Sequence, residues 1–345
     1  NYDLLIADKF ICSNESGEIE LKVSQNIKNF EDTSISLHNL NKLNFKCNTL
    51  VLVDRLSNEN KFLKVDHLNS NFFYKNFIKS YSKNLIDFFD KENDKLVLKN
   101  DETKIDKNVY IPEGFNVVIK PGQKIIITNK AFIISNSPWQ IGGENKLVLI
   151  SGERENLGGG ILIGDTKEVS SIENTEFSYL SGYDLEKNFE YIILGSINFH
   201  QTKVDIKNVY FRNIFSEDAI NIFRSKFRII DAKYKNIFSD AIDVDFSEGK
   251  IFKSDFVNIN NDAIDFSGSK VSVNQVNFDN VNDKIISAGE DSKINIDEIT
   301  GTNSYAGIIS KDGSEVYSQN IKFDGVKIPF AAYQKKKEYD FPFLD

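Results

Sequence analysis

The sequence predicts an all-β chain dominated by a right-handed parallel β-helix with coils of about 22 residues, preceded by a small α+β or irregular N-terminal region. Three columns of residues predict it. Five segments open alike, at Ser225-Lys-Phe227, Gly249-Lys-Ile251, Ser269-Lys-Val271, Ser292-Lys-Ile294 and Ser314-Glu-Val316, their third residues 24, 20, 23 and 22 apart. A second column runs Asn213, Asn236, Asn258, Asn280 and Asn303, spaced 23, 22, 22 and 23. A third is Asp218, Asp240, Asp262 and Asp283, spaced 22, 22 and 21. All three keep one register.

Residues 1–108 read as the separate N-terminal part. Ile19–Val23 alternates apolar and charged residues and reads as a strand, as does Thr49–Val53. Phe73, Phe77, Tyr81, Ile86 and Phe89 stand near helical spacing over Phe72 to Phe89. Asn100 to Lys104 is polar and reads as a linker. Residues 109–345 read as the β-helix with a C-terminal cap. Its entry, Val109 to Ile127, gives short β-rich runs broken by Pro-Glu-Gly and Lys-Pro-Gly turns. Strands this short, with little helix between them, argue against βαβ units.

A coil of about 22 residues needs three short strands and three turns. It cannot bury its own apolar face, so neighbours must stack. The expected inner ladders are Phe227, Ile251, Val271, Ile294 and Val316; Ile214, Ile237, Ile259 and Val281; and Ile220, Ile242, Ile264 and Ile285. The asparagine column belongs at a turn, where stacked amides bond one another along the axis. Tyr333 to Tyr339 reads as a polar end-cap that blocks edge pairing.

Bulk properties exclude several functions. With 40% apolar and 27% charged residues, the chain is globular and not disordered. Net charge is −9, which argues against broad phosphate binding and hence against nucleic acid as a partner. No apolar run is long enough for a transmembrane helix. Cys12 and Cys47 allow one disulfide or two free thiols and cannot form a C-x-x-C site. The chain starts at Asn1, not Met, and so reads as a processed product or an excerpt.

The Ile-Pro-Glu-Gly…Lys-Pro-Gly entry and the 22-residue coils resemble right-handed β-helix proteins of the pectin-lyase-like superfamily. Ser239 to Tyr339 resembles more closely the β-helix regions of bacterial surface proteins that accompany spore-coat-H-like kinase domains. The residues that carry this are Ser239-Asp-Ala-Ile-Asp-Val-Asp245, Asn261-Asp-Ala-Ile-Asp-Phe-Ser-Gly-Ser269, Asn282 to Glu290, Ser310-Lys-Asp-Gly-Ser314 and Tyr333-Gln-Lys-Lys-Lys337. The likeness covers about residues 109–345 and leaves the N-terminal part unexplained. It implies a secreted, periplasmic or cell-surface protein whose partner is a polysaccharide or cell-surface glycan. Enzymes of that superfamily cleave or epimerise polysaccharides along a parallel sheet, some with clustered aspartates, others with Ca²⁺ and Arg or Lys. Two of their signatures, Gly-His-Gly and Asp-Pro-His-Asp, do not occur here.

Strand parity places the candidate chemistry. If Ile242, Val244 and Phe246 point inward, Asp243 and Asp245 point out, and Asp243 lies over Asp265 at about 4.8 Å. Asn221 precedes them in that column, and the aspartates at 218, 240, 262 and 283 run alongside. Stacked carboxylates at about 5 Å repel by on the order of 1 kcal/mol in water and about 3 at an effective dielectric near 20. A cation, a shared proton or a nearby lysine must offset this. Asp240, Asp243 and Asp265 are therefore the expected acid, base or cation ligands. Lys284, read in the column of Ala241 and Ala263, assists them. Asp243, Asp245 and Asp265 are the expected ligands if Ca²⁺ is the counter-ion. Asp262, Asp283, Glu290 and Lys311 are expected to touch substrate. Two functions stay open: a non-catalytic β-helix that binds polysaccharide or a surface partner through its acidic face, and a polysaccharide hydrolase or lyase. His200 reads as a packed or surface residue.

Overall fold

The computed structural model describes residues 5–14, 17–26, 46–54, 60–64, 82–143, 146–182 and 194–345. The chain divides into two compact units, Asn1–Lys75 and Asn76–Asp345. In the first, four antiparallel strands are ordered Gly17–Asn26, Leu5–Asn14, Lys46–Asp54 and Asn60–Lys64. The strands read at Ile19–Val23 and Thr49–Val53 fall within two of these. Cys12 and Cys47 are register partners across the central ladder. Most of the helix read over Phe72 to Phe89 lies outside the described residues. Its described end is one helical turn, Leu85–Phe88, and Phe89 already opens a strand.

The second unit is a parallel β-helix. Ten short strands, from Val109–Ile111 to Ile328–Tyr333, stack as one ladder. A second ladder carries strands of up to twelve residues, such as Lys203–Ile214 and Lys226–Ile237. Each long strand is two arms. Val169–Ser178 shows this, because its first half pairs with Trp139–Ile141 and its second half with Val148–Ser151. The parallel ladder takes in residues ahead of Val109: Lys95–Leu98 pairs with Asn116–Ile119, and Glu102–Ile105 with Lys124–Ile127.

Three left-handed corners turn each coil. One column of positive φ is Arg224, Phe246, Gly268, Glu290 and Asp312; a second is Asn208, Asp231, Lys253, Gln275, Glu298 and Asn320; the third is Asn213, Asn236, Asn258, Asn280 and Asn303. Asparagine tolerates this conformation better than other chiral residues. At the third corner its amide also bonds along the axis. Asn236 Nδ2 donates to Asn213 Oδ1 at 3.1 Å, Asn258 to Asn236 at 2.9 Å and Asn280 to Asn258 at 2.9 Å. The ladder ends at Asn303, which turns to Asp279 Oδ1.

The core is a set of axial columns. Ile214, Ile237, Ile259 and Val281 stack in register as expected. Two other ladders need correction. Phe227 pairs with Gly249, not Ile251, and Gly249 pairs with Val271. A Cβ at Gly249 would stand 2.5 Å from the Phe227 ring, so the large residue fills the space of the small one. The repeat therefore opens at Ser247, whose backbone N–H donates to Ser269 Oγ while Ser225 N–H donates to Ser247 Oγ. Likewise Ile264 pairs with Ile286, not Ile285. A further column was not foreseen: the rings of Phe177, Phe211, Tyr234, Phe256 and Phe278 stack inside with centroids 4.9, 5.0, 4.5 and 4.9 Å apart. Such ring pairs add about 0.5–1.5 kcal/mol each beyond area burial. The segment read as an end-cap packs on the last corner, with Lys335 and Lys336 backbone N–H groups donating to Asp312 Oδ1 at 2.6 Å.

Candidate functional site

The short-strand ladder positions the acidic residues. Asp218–Phe223, Asp240–Asp245, Ile264–Ser267 and Lys284–Gly289 stack in turn. Isoleucines 220, 242, 264 and 286 face the core, and the polar column beside them is Asn198, Asn221, Asp243, Asp265 and Ser287. Asp243 lies over Asp265, as parity required. The parity argument fails three residues later. Phe246 sits at a corner with φ 48° and is 53% exposed, because the left-handed residue reverses the alternation.

Asp218 pairs with Asp240, and the register places Asp262 next and Lys284 after it. Asp283 is one residue out of this column, and Lys284 takes the place assigned to it. Lys284 is therefore not in the column of Ala241 and Ala263, where Ile285 stands instead. The correction has a chemical consequence, because the axial neighbour of Asp262 is a cation. Lys284 Nζ lies 3.1 Å from Asp262 Oδ1 and 2.5 Å from Asp283 Oδ2. Burial by itself would lower the Lys284 amine, but the Asp283 and Asp262 carboxylates outweigh it and hold the amine above its ordinary range.

The six aspartates at 218, 240, 243, 245, 262 and 265 divide by what they do. Asp240 Oδ1 accepts the Asp262 backbone N–H at 2.9 Å and the Asn261 amide at 2.6 Å. Asp262 Oδ1 accepts the Lys284 backbone N–H at 3.0 Å. These two cap the turn that opens the next strand, one coil on. Asp243 caps nothing. Its Oδ2 accepts Asn221 Nδ2 at 2.9 Å, and the same amide donates to Asp218 Oδ2 at 3.2 Å, so one asparagine bridges two carboxylates. His200 Nε2 lies 3.0 Å from Asn221 Oδ1, which joins the histidine to this network. Burial lowers its imidazole, against the Asn221 hydrogen bond.

Burial and mutual repulsion push the carboxyls up. Asp243 is raised well above the usual range by desolvation and then by Asp218, Asp245, Asp265 and Asp240. Asp218 is raised well above it by desolvation and Asp240. Desolvation carries Asp240 to about 6, against the bonds from Asp262 and Asn261. Desolvation and Asp265 carry Asp245 to about 6 and Asp262 to about 7. Lys311 Nζ stands 3.9 Å from Asp265 Oδ1. Glu290 is engaged by Lys336 at the C-terminal cap. Ser287 Oγ, above Asp265, is buried and has no hydrogen-bond partner among the described residues. Phe238 precedes the acidic strand and Phe246 follows it, both largely exposed.

Of the expected site residues, the fold thus brings together Asp240, Asp243, Asp245, Asp262, Asp265, Lys284 and Lys311. Asp283 joins only through Lys284, and Glu290 stands at a neighbouring corner. Sequence reasoning set His200 aside as a packed or surface residue and passed over Ser287. Ser287 lay in reach, 22 residues after Asp265. Among the described residues, no group of three or more His, Cys, Asp or Glu side chains is arranged to hold a metal ion. No described helix is long and apolar enough to cross a membrane.

Fold and site together define a parallel β-helix protein with an acidic face. The chain matches no protein-family description and no curated protein. Among solved structures it is similar to an alginate lyase from Paenibacillus sp. str. FPU-7, at 11% identity and a TM-score of 0.33, over 65% of this chain and 93% of that one. It is similar also to the catalytic unit of a GH87 alpha-1,3-glucanase from Streptomyces thermodiastaticus strain HF3-3, at 9% identity and a TM-score of 0.25, over 68% and 65% of the two chains. A third is the A-module of the mannuronan C-5 epimerase AlgE4 from Azotobacter vinelandii, at 13% identity and a TM-score of 0.22, over 70% and 91%. No residue role is carried across from them.

Proposed function

We propose that the short-strand face binds a polysaccharide and hydrolyses it, with Asp243 and Asp265 as the working pair. The observation that carries this is that Asp243 lies in register over Asp265 and has no turn to cap. Its carboxyl is driven toward the protonated form by burial and by its neighbours. A protonated Asp243 can give its proton to a glycosidic oxygen. Asp265, beside the Lys311 ammonium, acts as the carboxylate that attacks the anomeric carbon or activates water. Strand spacing of about 4.8 Å is near the ~5–5.5 Å between carboxyl groups in retaining glycosidases. Asn221 and His200 hold Asp243 in orientation. The face suits a sugar chain in another respect. Carboxylates and amides accept from and donate to hydroxyl groups, and Phe238 and Phe246 offer apolar surface at either edge.

Asp240 and Asp262 favour a second reading for their own column. Both bond backbone N–H groups of the next coil, which is the work of turn residues and needs no substrate. The reading for the face as a whole is then a non-catalytic, extracytoplasmic glycan-binding module. Reducing-end release from a panel of polysaccharides separates the two. Hydrolysis predicts release that Asp243→Asn removes while the fold persists. Release that survives Asp243→Asn combined with Asp265→Asn places any catalysis elsewhere.

A further inference from the structure

A groove lies on another face, over the second arms of the long strands. It holds about 650 Å³. Its floor is the backbone at Phe211, Tyr234, Phe256 and Phe278, whose rings point into the core. Parity then raises two walls. One is Tyr210, Lys233, Asp255, Asn277 and Thr300, which are axial neighbours. The other includes Arg212, Lys235, Asp279 and Thr302. A smaller hollow of about 370 Å³ shares Glu176 and Tyr210 with it and prolongs it toward Lys146.

The walls are fixed before any ligand arrives. Thr300 Oγ1 donates to Asn277 Oδ1 at 2.6 Å, Asn277 Nδ2 to Asp255 Oδ1 at 2.9 Å and Thr302 Oγ1 to Asp279 Oδ1 at 2.6 Å. Arg212 meets Glu176 Oε1 at 2.7 Å. Lys233 Nζ lies 5.6 Å from the centre of the Tyr210 ring. Charge balances along the groove: Arg212, Lys233 and Lys235 stand against Glu176, Asp255 and Asp279. The aspartate cluster of the short-strand face has no such balance.

We propose that this trough is a second binding site, for a neutral linear glycan lying along the helix axis. Donors and acceptors recur at each coil, about 4.8 Å apart, which suits a chain of hydroxyl groups. A balanced wall gives no advantage to a polyanion or a polycation. A peptide laid along the axis would cross strands whose backbone groups are already paired, and so could not bond as an added strand. The inference stands apart from the hydrolytic reading, since it uses none of the same residues.

The test is retardation of the full chain in native gels containing hydroxyethyl cellulose, galactomannan or xyloglucan, with polygalacturonate as the acidic control. The measurement is made in the Asp243→Asn, Asp265→Asn background, which stops hydrolysis at the acidic face. Retardation by at least one neutral polymer should persist there. Adding Tyr210→Ala and Asn277→Ala should weaken it by about tenfold or more. Lys235→Trp, which fills the trough from an exposed position, should do the same with the melting temperature kept. The inference is overturned if no neutral polymer retards the background protein, if both trough variants run unchanged, or if only polygalacturonate binds.

Discussion

Two stacks of like side chains run along this molecule and behave in opposite ways. At one corner, the amides of Asn236, Asn258 and Asn280 each donate to the amide oxygen of the asparagine one coil before. On the short-strand face, aspartates stand at the same axial interval, and ionised carboxylates can only accept. An amide stack is self-sufficient. A carboxylate stack must take a proton, a cation or a ligand. The fold supplies two amines, Lys284 and Lys311, for six aspartates. The remainder is met by raised proton affinity, which is also what acid–base chemistry requires. The contrast teaches that a repeat is structural where its side chains satisfy each other and is a candidate site where they cannot.

The largest effect should come from the acidic stack. Asp243→Asn with Asp265→Asn should reduce reducing-end release by a thousandfold or more. It should also raise stability at pH 7, because a buried group that resists ionisation is replaced by a neutral one. The sign follows from the direction of the shifts. The folded-state carboxyls of Asp218, Asp240, Asp243, Asp245 and Asp262 are raised, so protons bind more tightly to the folded state. The contribution of Asp240, Asp245 and Asp262 is fully present below about pH 4 and is lost as pH rises through about 6 to 7, and Asp218 and Asp243 act in the same direction. Chemical denaturation at pH 5 and pH 8 should show the wild type losing stability between them, with a flatter slope in the double variant.

Next in size is Lys284→Met. It removes the amine beside Asp262 and Asp283 and should cost about 2–4 kcal/mol at pH 8, where the abandoned carboxylates are ionised. The loss should be smaller at pH 5, where Asp262 binds a proton instead. A loss that is the same at both values would mean that the lysine acts through packing alone.

The amide stack gives a smaller, pH-independent effect. Asn258→Ala deletes two axial hydrogen bonds and puts alanine at φ 58°. About 2–3 kcal/mol should be lost, from left-handed strain and the exposed bonds together, read equally at pH 5 and pH 8. Smallest is Gly249→Ala, whose Cβ would meet the Phe227 ring; about 1–3 kcal/mol is expected. Phe227→Leu should recover part of it.

Most of the β-helix was legible in the sequence because parallel, in-register stacking turns a period into a column. The errors share one cause. Gly249-Lys-Ile251, Asp283 and Ile285 were placed by chemical likeness, at intervals of 20, 21 or 24. The ladder holds to backbone register and admits an unlike residue: Gly249 under Phe227, Lys284 after Asp262, Ile286 after Ile264. Phe246 was misplaced because parity cannot foresee a left-handed corner. The inner aromatic column was visible only once register was known, since Tyr234 interrupts the run of phenylalanines and Phe177 stands 34 residues before Phe211. The acidic face was legible as a stripe. Its division into turn-capping Asp240 and Asp262 and uncommitted Asp243 was not, because that depends on which N–H each carboxylate meets.

The central claim is that this stack holds protons that the chain's other carboxyls have released. A carbon-detected NMR titration of the aspartate carboxyl carbons tests it directly, with Asp243→Asn to assign the key resonance. The account predicts that Asp243 and Asp218 release their protons at a distinctly higher pH than aspartates such as Asp297, whose carboxyl is held low by its hydrogen bonds. Ionisation of Asp243 together with those aspartates near pH 4 would contradict it.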